Sequence, residues 1–109
     1  MSRPINAVAV LTSKDGKFDK ILSAFVCVAE YIHTNEPGTL IFYAFKPTDG
    51  DELVVVEKYL DEDSRMTHVE SVAFQEFRNK VLPLLAKPFD VKKGTYLAGL
   101  EAREGHVKI

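Results

Sequence analysis

Apolar residues in the first third of the chain follow a strand pattern and then a helix pattern. Ile5 to Thr12 is an apolar run with β-branched residues, bounded by a polar turn, which predicts a buried strand. Apolar residues at helical spacing then form one broad face: Phe18, Ile21, Leu22, Phe25, Val28, Ala29 and Ile32. We expect Asp15 to cap this helix and Asn35-Glu36-Pro37-Gly38 to end it.

The middle of the chain contains two strand-like segments followed by a helical one. Thr39 to Lys46 and Glu52 to Leu60 are rich in aromatic and β-branched residues, and the short Gly-containing connection between them predicts a hairpin. Acidic residues at 61–63 suit a helix amino terminus, where the helix dipole favours negative charge. We expect this helical region to be capped again at Ser71, and we expect Pro83 to end the helix or to begin a separate turn.

A last strand completes the predicted fold. Phe89 to Leu97 alternates apolar and polar residues, and the order strand, helix, strand, strand, helix, strand predicts an α+β ferredoxin-like βαββαβ domain with an antiparallel four-stranded sheet. The third strand has apolar residues on both faces, Leu53 and Val55 on one and Val54 and Val56 on the other. A sheet with one solvated face would alternate more cleanly. We therefore expect a homodimer that covers the second face.

Length and composition exclude several classes of protein. The 109 residues predict a single domain over 1–109, with its core at about 5–97 and a polar tail at 101–109. The balance of 14 basic and 16 acidic residues, without a basic stripe, predicts no nucleic-acid partner. No apolar run has the length of a signal peptide or a membrane span, so we expect a cytoplasmic protein without a membrane partner.

Motifs for metals, disulfides and nucleotides do not occur in the sequence. A single cysteine, Cys27, excludes an internal disulfide and a zinc cluster built on thiolates. The three histidines are scattered and do not have metal-ligand spacing, and no glycine-rich phosphate loop is present. We therefore expect neither a metal nor a nucleotide cofactor.

Several segments, in order and at matching spacing, resemble one family. Glu36-Pro37-Gly38 precedes an aromatic strand; Val55-Val56-Glu57-Lys58-Tyr59 is followed by Asp61 and His68; Phe74 and Phe77 come next. From about Ala7 to Val91 the chain resembles the antibiotic biosynthesis monooxygenase family of the dimeric α/β-barrel superfamily. The resemblance implies oxygenation without metal, flavin or other cofactor, in which the anion of an electron-rich substrate itself reduces dioxygen. A small hydrophobic phenolic, quinol-like or oxylipin-like substrate is then expected.

His68 and Tyr59 are the candidate catalytic residues. An imidazole titrates near neutral pH, so His68 can accept a proton from a phenol or enol. Tyr59 ends the third strand nine residues earlier, and a strand end plus about two helical turns brings the two side chains together. The alternative for His68 is a purely structural hydrogen bond, and the alternative for Tyr59 is a core aromatic whose hydroxyl reaches solvent.

The candidate substrate-binding residues are on the strands and the second helical region. Their positions are Asn6, Ala7, Ala9, Phe42, Tyr43, Glu57 and Phe74. Small alanines that face aromatic rings can leave a cavity for a flat ligand, although close helix packing is an equally simple cause. Glu57 shares a strand face with Tyr59, so on an enclosed face it must be paired, for instance in a salt bridge across the dimer with an Arg or Lys such as Arg78, or its pKa must rise. Asn6 is near the position of an asparagine in some relatives, although the register places Ala7 or Ala9 there more naturally and a shift of one residue sends a strand side chain to the opposite face.

Two other functions are compatible with the sequence. One is a dimeric ligand-binding or stress-associated barrel without catalysis, in which His68 points away from a small apolar pocket. The other is haem binding or degradation. Relatives that degrade haem rely on a tryptophan, and this chain has Tyr59 where many members have tryptophan and contains no tryptophan at all. The absence of tryptophan therefore argues against haem degradation.

Overall fold

The computed structural model describes residues 3–103, which form a four-stranded antiparallel sheet with helices packed on one face. The strands are β1 (Ile5–Thr12), β2 (Thr39–Phe45), β3 (Glu52–Tyr59) and β4 (Asp90–Thr95). The helices are α1 (Phe18–Asn35), α2 (Glu62–Glu70) and α3 (Val72–Val81), and a 3₁₀ turn follows at Leu82–Leu84. The spatial strand order is β2-β3-β1-β4. The predicted α+β ferredoxin-like fold is confirmed.

Strand register places the small and apolar residues of β1 and β3 on the helix-covered face. Ala9 lies opposite Val55 and Leu11 opposite Leu53, and all four side chains are buried. Residues directly opposite each other in an antiparallel pair point to the same face, so these residues form the floor on which the helices pack. The helices contribute the other core residues: Ile21, Phe25, Val28, Ile32, Phe77 and Val81.

The helix starts show which local signals were sufficient for prediction. Asp61 caps α2, because its Oδ1 accepts a hydrogen bond of 2.8 Å from the Ser64 amide. Ser71 caps α3 as predicted, accepting a 3.0 Å hydrogen bond from the Phe74 amide. The prediction that Asp15 caps α1 is wrong, because the helix starts at Phe18 and its N-cap position is Lys17, without a side-chain cap.

The other face of the sheet has no helices and remains partly apolar. Val8, Tyr43 and Phe45 are 39%, 54% and 50% exposed on this face. Near one end of the face, Lys58 Nζ lies 2.6 Å from Glu101 Oε1 and 4.3 Å from the centroid of the Tyr96 ring, so the chain after β4 packs over β3 there. Positions 104–109 of the predicted polar tail lie outside the described residues.

The last strand is shorter than the sequence pattern indicates. It runs from Asp90 to Thr95, so Phe89 precedes it and Leu97 follows it. Within residues 3–103, the helices fall short of the length and hydrophobicity that a membrane crossing requires.

Candidate functional site

A cavity of about 270 Å³ lies between the helix-covered face of the sheet and the helices. Its floor includes Ala7 and Ala9, whose small side chains leave space above the sheet. Most of its lining is apolar or aromatic: Leu11, Phe25, Phe42, Val55, Val69, Phe74, Phe77, Phe89 and Val91. The polar lining residues are Glu57, Tyr59, Arg65, His68, Arg78 and Lys93. An apolar hollow with a few convergent polar groups is the usual form of a small-molecule site.

His68 lies in the last turn of α2 and its side chain is 2% exposed. Its ring centroid is 5.5 Å from that of Phe42, 5.4 Å from that of Tyr59 and 4.8 Å from that of Phe74. Ser71 Oγ donates a 2.9 Å hydrogen bond to the His68 carbonyl oxygen, which fixes the junction between the two helices that carry His68 and Phe74. The imidazole is therefore held by aromatic rings on three sides and is one of the few polar groups in the cavity wall.

Glu36 fixes the orientation of the His68 ring. Glu36 Oε1 lies 3.0 Å from His68 Nδ1, and both side chains are buried. A carboxylate accepts a hydrogen bond, so Nδ1 carries the proton in this contact and Nε2 of a neutral ring is the basic nitrogen. Nε2 makes no hydrogen bond to any residue between 3 and 103. Thr39 Oγ1 donates a 3.0 Å hydrogen bond to the same Glu36 oxygen.

The loop that carries Glu36 lies close against α2. A Cβ atom at Gly38 would be 2.7 Å from Ser64 Cβ, a separation that real side chains do not adopt. The Leu60 amide donates a 2.8 Å hydrogen bond to the Gly38 carbonyl oxygen, which ties the loop to the end of β3. Glycine at position 38 therefore permits the close approach that brings Glu36 to His68.

Glu57 and Tyr59 form the second polar pair of the cavity. They share one face of β3, and the Tyr59 hydroxyl donates a hydrogen bond to Glu57 Oε1. Burial raises the pKa of Glu57, although the hydrogen bond from Tyr59 and the charges of His68 and Arg65 oppose this rise. Burial, and then the charge and hydrogen bond of Glu57, raise the pKa of Tyr59, so its phenol remains a donor at neutral pH.

Seven of the nine predicted site residues line this one cavity. They are Ala7, Ala9, Phe42, Glu57, Tyr59, His68 and Phe74. Asn6 and Tyr43 do not line the cavity, so the prediction that they contact a ligand there is wrong. Asn6 lies opposite Lys58 and Tyr43 opposite Val56, and these positions point to the face without helices.

Local sequence patterns did not predict three further features of the site. Within the described chain Glu57 has Tyr59 as its hydrogen-bond partner, and the expected pairing of Glu57 with Arg78 across a dimer stays a prediction. The sequence pattern around Glu36 indicates only a loop, whereas its partner His68 lies 32 residues away. Arg65, Arg78 and Lys93 also reach the cavity; only the position of Arg65, three residues before His68 on a helix, could have indicated a shared face. Within residues 3–103 no group of three His, Cys, Asp or Glu side chains has the geometry to hold a metal ion.

The comparison with protein families is decisive at this point. Residues 4–80 match the model of the family described as antibiotic biosynthesis monooxygenase, and this match covers more than half of the chain. The chain belongs to this family. The matched region includes β1 to α2 and most of α3, and therefore contains His68, Glu36, Glu57 and Tyr59.

Solved structures support the fold of this antibiotic biosynthesis monooxygenase family member. A protein from Caulobacter crescentus CB15, whose proposed function is antibiotic biosynthesis monooxygenase, has a TM-score of 0.84 at 21% identity, over 89% of this chain and 92% of its own. Rv0793 from Mycobacterium tuberculosis has a TM-score of 0.83 at 21% identity, over 88% and 97%. SO0527 from Shewanella oneidensis has a TM-score of 0.80 at 24% identity, over 88% and 93%. No curated protein matches the sequence.

Proposed function

We propose that this protein is a cofactor-independent monooxygenase that acts on a small hydrophobic phenolic, quinol-like or oxylipin-like substrate. The observation that carries the proposal is the buried imidazole of His68 in the wall of an apolar cavity, with Nδ1 held by Glu36. Family membership supports the same class of reaction, and the buried imidazole supports the choice of His68 as the base that this chemistry needs.

His68 removes the substrate proton. With Nδ1 engaged by the carboxylate of Glu36, Nε2 accepts a proton from a phenol or enol in the cavity, and Glu36 stabilises the imidazolium that forms. The resulting anion gives electrons to dioxygen and forms a carbon–oxygen bond, and the peroxide anion takes the proton back from the His68 imidazolium to become a hydroperoxide. Loss of water from the hydroperoxide then leaves a quinone-type product, so one oxygen atom enters the substrate and the other leaves in water.

The apolar wall and the Tyr59–Glu57 pair assist in different ways. The aromatic side chains around His68 exclude water, which would otherwise solvate the substrate anion and make it less reactive. Tyr59 is a protonated hydroxyl in the same cavity, because burial and Glu57 raise its pKa. It orients the substrate oxygen or the ring of His68, whose centroid is 5.4 Å from its own.

The protein works as a homodimer in this proposal. The sheet face without helices has partly exposed Val8, Tyr43 and Phe45, which would gain from burial against a second copy. Each protomer keeps its own cavity, because the cavity is on the opposite, helix-covered face of the sheet. Family membership supports this assembly as well.

Oxygen consumption tests the proposal directly. Pure protein is mixed with a panel of hydroquinones and phenols, and dioxygen is followed with an electrode. At least one compound should be consumed by the natural protein, and His68→Ala should abolish this turnover while size-exclusion chromatography shows the same assembly. His33→Ala is the matched control, because His33 is exposed on α1. Turnover that persists in His68→Ala would overturn the assignment.

The same panel distinguishes the two alternatives. Binding without oxygen consumption supports a ligand-binding protein without catalysis, which the small size and apolar lining of the cavity also fit. Haem binding would produce a Soret band after haem is added. A cavity of about 270 Å³ lies below the usual range of roughly 300–1,000 Å³ for larger organic ligands, which argues against so large a macrocycle.

A further inference from the structure

Two basic side chains from different elements line the cavity where it meets solvent. Arg78 is on α3 and Lys93 is on β4, and both residues are exposed. Between residues 3 and 103 neither of them forms an ion pair. Lys93 lies opposite Ala7 in the sheet, so its long side chain extends over a small residue of the cavity floor. The solvent-facing part of the cavity is therefore cationic.

The acidic groups near this opening already have partners. Glu62 Oε1 lies 2.6 Å from the guanidinium of Arg65, the third basic lining residue. That hydrogen bond, and more weakly the charge of Lys93, lower the pKa of Glu62, so Glu62 remains charged and neutralises Arg65. Glu57 is hydrogen-bonded to Tyr59, and burial raises its pKa, which favours its neutral form. Within residues 3–103, Arg78 and Lys93 thus form no ion pair within 4.0 Å, and the charge of Glu62 acts on Lys93 only from beyond that distance.

The size of the cavity limits the apolar part of a ligand. An apolar cavity of about 150 Å³ is known to hold benzene, so about 270 Å³ accommodates a body of roughly two rings. A neutral phenol of that size would leave both cations without an interaction, and a cationic amine would be repelled by them. A negatively charged group at the opening, attached to an apolar body inside, satisfies both parts of the site.

We propose that the natural ligand is a small aromatic acid, with its apolar body in the cavity and its carboxylate, or an equivalent monoanionic group, held between Arg78 and Lys93. This inference rests on the proposed function, since it names the substrate class for the same cavity. The phenol of such a ligand faces His68 at the inner end while the anionic group stays in contact with solvent, so the charge is not desolvated.

Matched naphthalene probes test the charge preference independently of turnover. We would measure binding of 2-naphthoate, 2-naphthamide and 2-(aminomethyl)naphthalene by isothermal titration calorimetry. The carboxylate should bind roughly fivefold more tightly than the amide, as two solvent-exposed charge contacts allow, and the amine more weakly than the amide. The preference should disappear between about 0.1 M and about 1 M salt, where the Debye length falls from about 10 Å to about 3 Å.

A matched pair of double variants assigns the preference to these two side chains. Arg78→Gln with Lys93→Gln should bind carboxylate and amide equally. Lys80→Gln with Lys92→Gln removes the same charge from the same two elements at exposed positions that do not line the cavity, and should keep the preference. Equal affinity for the two probes in the natural protein, or an unchanged preference in the first variant, overturns the inference and leaves the oxygenase proposal in place. Failure of all three probes to bind also overturns the inference, while the oxygen-consumption assay decides the oxygenase proposal separately.

Discussion

Glu36 Oε1 and His68 Nδ1 are 3.0 Å apart inside the protein, although 32 residues separate the two in sequence. Glu36 directly follows α1 and His68 is in the last turn of α2, so this contact joins the two halves of the fold at the cavity wall. It determines which imidazole nitrogen is free to face a ligand.

Replacing Glu36 by alanine should both destabilise the protein and release the His68 ring. The imidazole would keep its buried position but lose its partner, which costs about 1–3 kcal/mol of the free energy of unfolding. Urea denaturation measures this loss. Nitrogen-15 chemical shifts of the ring should change from a single Nδ1–H tautomer to a mixture. Glu30→Ala, at an exposed position of α1, is the control. An unaltered tautomer in Glu36→Ala would contradict the role of Glu36.

Replacing Gly38 by alanine should separate the Glu36 loop from α2. The added Cβ meets Ser64, and relieving such a contact typically costs about 1–3 kcal/mol. Adding Ser64→Gly removes the opposing side chain, so the double variant should recover part of the loss despite a glycine in the helix. Gly94→Ala is the control, since no atom lies within 4 Å of its added Cβ. Equal stability of Gly38→Ala and the natural protein in urea would show that the loop adapts freely.

Replacing Glu57 by glutamine should alter the pH dependence of stability. Burial raises the pKa of Glu57 above its ordinary value of 4.5, so the folded state resists ionisation of this group and becomes less stable as pH rises above that value. Glutamine cannot ionise. The free energy of unfolding of Glu57→Gln should therefore increase relative to the natural protein between about pH 4 and pH 7. Urea titrations across this range measure the difference, with Glu70→Gln, an exposed position on α2, as the control. A constant difference would contradict the prediction.

Replacing Val8 by aspartate should disrupt the proposed dimer. Val8 is central to the sheet face without helices, and a buried unpaired carboxylate would be costly in an interface between two copies. Light scattering after size exclusion should show a monomer. Val72→Asp is the control, because Val72 is 73% exposed at the start of α3 on the other side of the molecule. A natural protein that is already monomeric at micromolar concentration would refute the dimer.

Sequence patterns were sufficient where one short segment determines the structure. The order of elements, the cap at Ser71 and the shared face of Glu57 and Tyr59 depend on residues close together in the chain, and the structure agrees with each. The prediction at Asp15 fails, because the first hydrogen bond of α1 runs from the Ile21 amide to the Lys17 carbonyl oxygen, two residues later in the turn. Local propensity does not choose among such neighbours.

Contacts between distant segments were beyond prediction from one sequence. Nothing in the sequence near Glu36 indicates that its loop reaches His68, since that depends on how α2 packs beside Gly38. Asn6 and Tyr43 show the opposite case, in which residues adjacent in sequence lie on different faces of the sheet. Each is next to a residue that lines the cavity, Ala7 or Phe42, but the alternation of strand side chains turns it to the opposite face.

The outer wall of the cavity includes Val91 and Lys93, and both belong to β4, the edge strand whose only paired neighbour among the described residues is β1. All six of its residues are exposed. Edge segments of this kind separate from a sheet at a lower free energy than the whole domain needs to unfold. The dwell time of a bound molecule should consequently depend on how often this strand frays, and amide hydrogen exchange of 90–95 should slow when the cavity is filled.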